Sequence, residues 1–369
     1  MVSGGIRRLR VGGFASLREV SLELRPLTIL VGANGSGKSN LVRVLELLGR
    51  IVDEDLQFFV GFNGGAAAIL HHPAATEISI DVVAESNRYA ARLVPAQDDT
   101  MIFADERIWF TGSDSDTSWQ RSIGIGGRET RLHAEDEREG GGGFSVAGYV
   151  MDLLAGCRVF HFHDTSVDAP VKRRISVADS VKLRSDAGNL AAYLYRLRRE
   201  EPSAYRRVVS AINLVAPFFR DFILEPELND SLLLRWRQVD SDATFSANQL
   251  SDGTLRFICL STLLLSPELP KLVVLDEPEL GLHPYAIAQL AGMLHSAANR
   301  SQVVVATQSV TLMNQFEMDD LVVVERRDGA SVFSRPEVDH LQEWLEEYSL
   351  GELWEKNMIG GRPTAERTS

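Results

Sequence analysis

Polar and apolar positions change period several times along the chain, and the changes mark its elements. Leu9 and Val11 alternate with polar neighbours, as do Val20, Leu22 and Leu24, which predicts two half-buried strands. Leu27–Val31 is mostly apolar, the pattern of a strand covered on both faces. Gly32 to Gly37 interrupts it, and Leu41, Val44, Leu45 and Leu48 then share one helical face. Short alternating strands are expected between Glu77 and Phe110, with turns at Asn87 and Asp98–Asp99. A polar, glycine-rich stretch ending at Gly140–Gly143 reads as a surface loop or hairpin tip.

Arg158–Phe162 reads as a strand, and Ala187–Leu214 as two helices parted near Pro202. Ile223–Leu224 and Leu232–Trp236 suggest a strand pair around Asn229-Asp230. A helix at Thr254–Leu265, a strand at Leu272–Leu275 and a helix with Ile287, Leu290, Ala291 and Leu294 on one face follow. Val303–Val305 and Leu321–Val324 read as buried strands, followed by an acidic amphipathic helix carrying Leu341, Trp344 and Leu345. The chain is expected to loosen from about Gly360. No repeat or run of heptads is visible.

Composition narrows this picture little. At 369 residues, 44% hydrophobic and 24% charged, the chain is of ordinary globular type. Its net charge of −13 argues against broad adhesion to nucleic acid. Two cysteines, Cys157 and Cys259, make neither a disulfide framework nor a zinc ligand set, which points to a reducing, cytoplasmic setting. The apolar run Ile258–Leu265 is too short to span a bilayer.

The chemistry lies at three breaks in the pattern. Gly32-Ala33-Asn34-Gly35-Ser36-Gly37-Lys38-Ser39 fits G-x-x-x-x-G-K-[ST] between a strand and a helix, the order a P-loop requires. Its glycines turn successive N–H groups inward as an anion nest, Lys38 reaches the β- and γ-phosphates, and Ser39 ligates Mg²⁺. Leu272-Val273-Val274-Leu275-Asp276-Glu277 is an apolar strand ending in two carboxylates, of which Asp276 suits Mg²⁺ through water and Glu277 the attacking water. Leu250-Ser251-Asp252-Gly253-Thr254 opens a helix, as an anion site, a plain N-cap or both.

These motifs, with Asp276-Glu277-Pro278-Glu279-Leu280-Gly281-Leu282-His283-Pro284 and Ala306-Thr307-Gln308-Ser309, stand in the order of an ABC-type ATPase head. The chain resembles the RecF/SMC-like branch, above all stand-alone bacterial ATPases grouped under AAA-family names. Phe160-His161-Phe162-His163-Asp164-Thr165 and the tail Tyr348–Asn357 share that resemblance. It implies an α/β P-loop fold of ABC-ATPase type, with a mixed central sheet, an antiparallel β-subdomain and an inserted helical lobe. The implied division is a core of residues 1–165 and 266–369, a signature lobe at 166–265, and a loose tail at 360–369.

The resemblance also implies roles. Asn34, Gly35, Ser36, Gly37, Lys38, Ser39 and Asn40 would bind ATP, Ser39 and Asp276 Mg²⁺, and Glu277 would be the catalytic base. Ser251 and Gly253 match the signature loop, which touches the γ-phosphate held by an opposite copy, and Leu280–His283 matches the D-loop. A homodimer in the ATP state follows. Gln308 occupies the switch position, usually histidine, so slow turnover is expected; Ala15 stands where relatives often carry arginine after the phenylalanine. A Q-loop is sought near His163–Asp164.

Other features have plainer readings beside sharper ones. His161, His163 and Asp164 suit a metal site or polar residues flanking the nucleotide, and His71-His72 a loop. Lys172-Arg173-Arg174, Lys182, Arg184, Arg196, Arg198-Arg199 and Arg206-Arg207 suit a solvated helical face or a DNA or partner surface. Trp344, Tyr348 and Trp354 suit packing or docking.

Three functions fit the motifs. The first is the ATPase subunit of a bacterial anti-phage defence or genome-maintenance complex with a separate nuclease-like or TOPRIM-like effector, since too few residues follow Leu321–Val324 for a TOPRIM domain. The second is a RecF-like DNA clamp, and the third a non-hydrolysing nucleotide-dependent scaffold. A transporter motor is disfavoured by the long separation of Ser39 from Ser251 and by Thr254 where a glutamine is usual.

Overall fold

The first alternating segments pair as a hairpin, β1 (Arg8–Phe14) and β2 (Leu17–Glu23), with Leu9, Val11, Val20 and Leu22 all buried. The computed structural model describes residues 4–71, 75–112, 118–140, 145–227, 229–336, 344 and 347–361. β3 (Leu27–Val31) is buried along its whole length, and the glycine loop leads from it into α1 (Lys38–Val52). Two short helices, α2 (Leu56–Phe62) and α3 (Ala66–Ile69), precede β4 (Ile78–Val83), β5 (Asn87–Pro95), β6 (Met101–Phe110) and β7 (Trp119–Gly124). These strands extend the hairpin into a six-stranded antiparallel sheet, β2-β1-β4-β5-β6-β7. Asn87 opens β5 instead of occupying a turn.

The polar stretch expected to be a loop holds β7, α4 (Leu132–Arg138) and, directly after it, α5 (Val146–Ala155). Its pattern hid them for physical reasons. β7 is a sheet edge whose Gln120 and Ser122 are exposed, and α4 buries only Leu132 and Glu135. Residues 141–144, most of the expected glycine-rich tip, lie outside the described residues.

β8 (Cys157–Phe160) ends two residues earlier than expected, so His161 and His163 lie beyond the strand. After β9 (Ile175–Ser176) come α6 (Leu190–Glu200) and α7 (Pro202–Val215), divided at Pro202, which begins the second helix. The expected strand pair is split. β10 (Phe219–Ile223) pairs with β12 (Arg235–Gln238), whereas β11 (Ser231–Leu232) pairs with β9. β13 (Thr244–Ser246) completes the smaller sheet before α8 (Asp252–Leu264).

The remaining elements are β14 (Leu272–Asp276), α9 (Pro284–Ala298), β15 (Gln302–Thr307), α10 (Val310–Met313), β16 (Leu321–Arg327), β17 (Ala330–Ser334) and α11 (Leu350–Glu355). The central sheet runs β17-β16-β3-β15-β14-β8, parallel throughout except for β17. Its strands read as unbroken apolar runs because both faces are covered. Leu30, Val274, Val304 and Val322 join α1 and the antiparallel sheet in one core; Ile29, Val273, Val303 and Val323 join α6 to α10 in the other. This is the expected mixed-sheet α/β fold, with helices inserted in sequence between the paired strands β8 and β14.

β17 had a signal that alternation alone missed. Asp328 and Gly329 both take positive φ, +51° and +75°, the two-residue turn that suits a tight hairpin. At the C-terminus, Gly361, expected in the loose tail, is anchored: its N–H donates to Glu325 Oε1 at 2.7 Å and its carbonyl accepts from Ala33 N at 3.1 Å. Residues 362–369 and most of the expected 341–345 helix lie outside the described residues.

Candidate nucleotide-binding site

Because β3, β14 and β15 are parallel neighbours, the loops at their C-terminal ends meet on one edge of the sheet. Those loops carry Gly32–Ser39, Glu277–His283 and Gln308–Ser309. Gly37 caps α1 at φ +110°, and a Cβ there would fall 1.9 Å from Ser331 Oγ, so only glycine fits. Behind the loop runs a hydroxyl chain that patterning did not reveal. Asn40 Nδ2 donates to Ser16 Oγ at 2.8 Å, the Ser16 and Ser331 hydroxyls meet at 2.6 Å, and Ser331 Oγ donates to Ser36 O at 2.6 Å. It joins the β1–β2 turn and the missed strand β17 to the loop. Asn34, Gly35 and Ser39 are exposed on its open side.

Lys38 is buried, and its ammonium donates to Gly32 O at 2.6 Å and Ala33 O at 3.1 Å. Burial lowers its pKa, while the carboxylates of Glu277, Asp276 and Glu279 pull it back up. Glu277 sits in left-handed backbone at φ +45°, its N–H held by Ala306 O at 2.7 Å. Such strain is typical of a residue whose aim matters. Gln308 Nε2 donates to Glu277 Oε1 at 3.0 Å, tying the residue at the switch position to the carboxylate.

Glu279 went unremarked in the sequence although it closes the same cluster. It is buried, hydrogen-bonded through Oε1 to Thr307 Oγ1, and its pKa is raised, chiefly by burial. Thr307 Oγ1 also accepts from Ser309 N at 2.9 Å, which fixes the turn that presents Gln308.

Ser251 caps α8, its Oγ accepting from Thr254 N at 3.2 Å. Gly253 lies against the 277–283 loop, where a Cβ would come 2.4 Å from Gly281 O. The structure thus brings Lys38, Asp276, Glu277 and Gln308 together, whereas the described contacts of Ser251 and Gly253 are to Thr254 and Gly281.

The donors suit a magnesium nucleotide. Asp276 Oδ1 and Ser36 Oγ are buried polar atoms without a hydrogen-bond partner, and Ser39, at the start of α1, is exposed. Among the described residues no group of three His, Cys, Asp or Glu side chains can hold a metal. One hydroxyl and one carboxylate make no closed cage, which fits an ion that keeps water and takes phosphate oxygens. His161, His163 and Asp164 accordingly form no such group. Burial lowers the His161 pKa instead, partly offset by Glu46 and Asp276.

Some of the basic residues of 172–207 are engaged within the chain, while Lys182, Arg198, Arg206 and Arg207 are exposed. Arg174 pairs with Glu227, Arg184 with Asp179 and Arg196 with Glu200, while Lys172 and Arg173 donate to the carbonyls of Thr165 and Asp168. Trp354 and Tyr348 pack on the core; Trp344 is exposed.

The family model described as AAA domain, putative AbiEii toxin, Type IV TA system matches residues 27–94 and 156–314, more than half of the chain. The chain belongs to that family. Both matched segments of this AAA-domain protein contain site loops, and the gap between them falls on β6, β7, α4 and α5. An OLD nuclease of Thermus scotoductus is 24% identical over 362 residues, covering 89% of this chain and 63% of the relative. The chain therefore spans less than two thirds of that relative's length. Two solved structures share the fold. An SMC head bound to the C-terminal winged-helix domain of ScpA has a TM-score of 0.56 at 17% identity, covering 92% of this chain and 99% of that one. An SMC head with an extended coiled coil, bound to the C-terminal domain of ScpA from Pyrococcus furiosus, has 0.51 at 14%, covering 93% and 99%. The AAA-domain protein thus has the fold of an ABC-type P-loop ATPase head. Among its described residues no helix is long and apolar enough to cross a membrane.

Proposed function

We propose that the chain hydrolyses ATP as a nucleotide-gated homodimer, with each site completed by the signature loop of the other copy. The observation that carries this reading is the grouping of Lys38, Asp276, Glu277 and Gln308 beside the glycine loop, with Asp276 Oδ1 buried and unpartnered. The Asn34–Asn40 backbone cradles the triphosphate, and Lys38 exchanges the Gly32 and Ala33 carbonyls for β- and γ-phosphate oxygens. Ser39 and Asp276 hold Mg²⁺, which supplies charge neutralisation when bound. Glu277 orients the attacking water and takes its proton, while Gln308 holds that carboxylate in place.

Ser251 and Gly253 of the second copy bring the positive end of α8 to the γ-phosphate. The exposed Ser251 cap supports this assignment. We further propose that 166–265 moves as a signature lobe against a core of 1–165 and 266–369.

The family's description and the relative's name support a role in anti-phage defence or genome maintenance, in which the ATPase would act on a nuclease- or TOPRIM-like effector. Internal pairing of Arg174, Arg184 and Arg196, together with the net charge of −13, makes a direct DNA clamp the weaker reading. Mixing copies tests the trans arrangement. Lys38→Ala and Ser251→Arg proteins, each inactive alone, should regain ATPase activity together, because one of the two mixed sites is intact. A mixture as inactive as its components would reject the composite site.

A further inference from the structure

Arg256, on the first turns of α8, is a buried cation whose hydrogen bonds go to main-chain carbonyls from two separate segments. Nε donates to Phe162 O at 3.1 Å, Nη2 to His163 O at 3.2 Å, and Nη1 to Leu280 O. Burial lowers its pKa, with Asp252 one turn back opposing that. Burying a guanidinium without a paired carboxylate is expensive, so an apolar residue would serve packing better. What only a guanidinium offers is a rigid planar fork whose donors point in several fixed directions at once.

Those directions join three pieces of the site. One is the α8 start, which carries Ser251 and Gly253. The second is the 280–283 loop, on which Gly253 already rests. The third is the segment leaving β8, which with Arg256 and Asp276 lines a cavity of about 10 Å³. That is room for roughly one water beside the Asp276 carboxylate.

We propose that Arg256 is a positioning residue that makes the signature turn, the 280–283 loop and the 162–163 segment move as one body. Engagement of a γ-phosphate by Ser251 and Gly253 of one copy then improves the Asp276 surroundings of that same copy, so occupancy of one site raises turnover at the other. This rests on the composite-site reading above.

The test measures ATP affinity, kcat and the Hill coefficient for Arg256→Lys and Arg256→Met, each checked for an unchanged melting temperature. Lysine keeps the charge and loses the fork; methionine keeps much of the volume. The expected result is ATP affinity within about threefold of the parent, with kcat lower by on the order of 100-fold and cooperativity lost in both variants. Millimolar methylguanidinium should restore part of the kcat of Arg256→Ala. Equal kcat and Hill coefficient in Arg256→Lys and the parent would overturn the proposal, as would a loss confined to ATP affinity. ATP-dependent dimerisation of the Glu277→Gln protein, and its loss on adding Ser251→Arg, separate failure of this inference from failure of the composite site.

Discussion

Gln308 Nε2 lies 3.0 Å from Glu277 Oε1 and donates to it. A neutral amide can hold the carboxylate that orients the attacking water, but it brings no positive charge to the γ-phosphate. Gln308→His is therefore expected to raise kcat, and Gln308→Ala to lower it roughly tenfold through a misaimed base. Steady-state ATPase rates check both; a histidine variant no faster than the parent would contradict the reading of Gln308 as a slow switch.

Ser331 touches the site only through the loop's backbone. Its hydroxyl donates to Ser36 O at 2.6 Å and meets Ser16 Oγ at 2.6 Å. Losing one such buried bond costs about 1 kcal/mol, so Ser331→Ala should weaken ATP binding by roughly fivefold and leave kcat nearly unchanged. Calorimetric titration beside saturating turnover measures the two separately. An unchanged affinity would mean that the chain through Asn40, Ser16 and Ser331 does not shape the loop.

Glu106 is fully buried in the antiparallel sheet, accepting from Tyr89 Oη at 2.8 Å, Thr130 Oγ1 at 2.5 Å and Arg131 N at 3.0 Å. Burial raises its pKa and these donors only partly offset that. The native state therefore binds this proton more tightly than the unfolded chain. The stabilisation is present at pH below the ordinary glutamate value and is lost as pH rises through the raised one. Each tenfold difference in proton affinity is worth about 1.4 kcal/mol. The melting temperature of the parent, minus that of Glu106→Gln, should fall as pH rises above the ordinary glutamate value. A difference constant with pH would remove Glu106 as the source.

Much of the fold was legible because its signals are local. The run Leu27–Val31 followed by Gly32–Ser39 fixed β3, the loop and α1, and the apolar strand before Asp276 placed the second carboxylate loop. What escaped depends on long-range contact. β7 and α4 carry their polar residues where the sheet edge and solvent need them, so neither shows a clear period.

Ser331 reaches Ser36 only because β17 folds back beside the P-loop, and Arg256 meets Phe162 and Leu280 only in three dimensions. Leu232–Trp236 reads as one strand beside Ile223–Leu224, yet the chain pairs Arg235 with Ile223 and sends Leu232 to Ile175. Alternation specifies which face is buried, not which strand lies beside it.

The measurement that bears most directly on nucleotide-gated pairing is the solution mass of the Glu277→Gln protein with and without Mg-ATP, since a site that cannot hydrolyse its nucleotide keeps the closed state. The account predicts a shift from monomer to dimer that needs ATP and is abolished by adding Ser251→Arg. A mass that ATP leaves unchanged, or a dimer indifferent to Ser251→Arg, would contradict it.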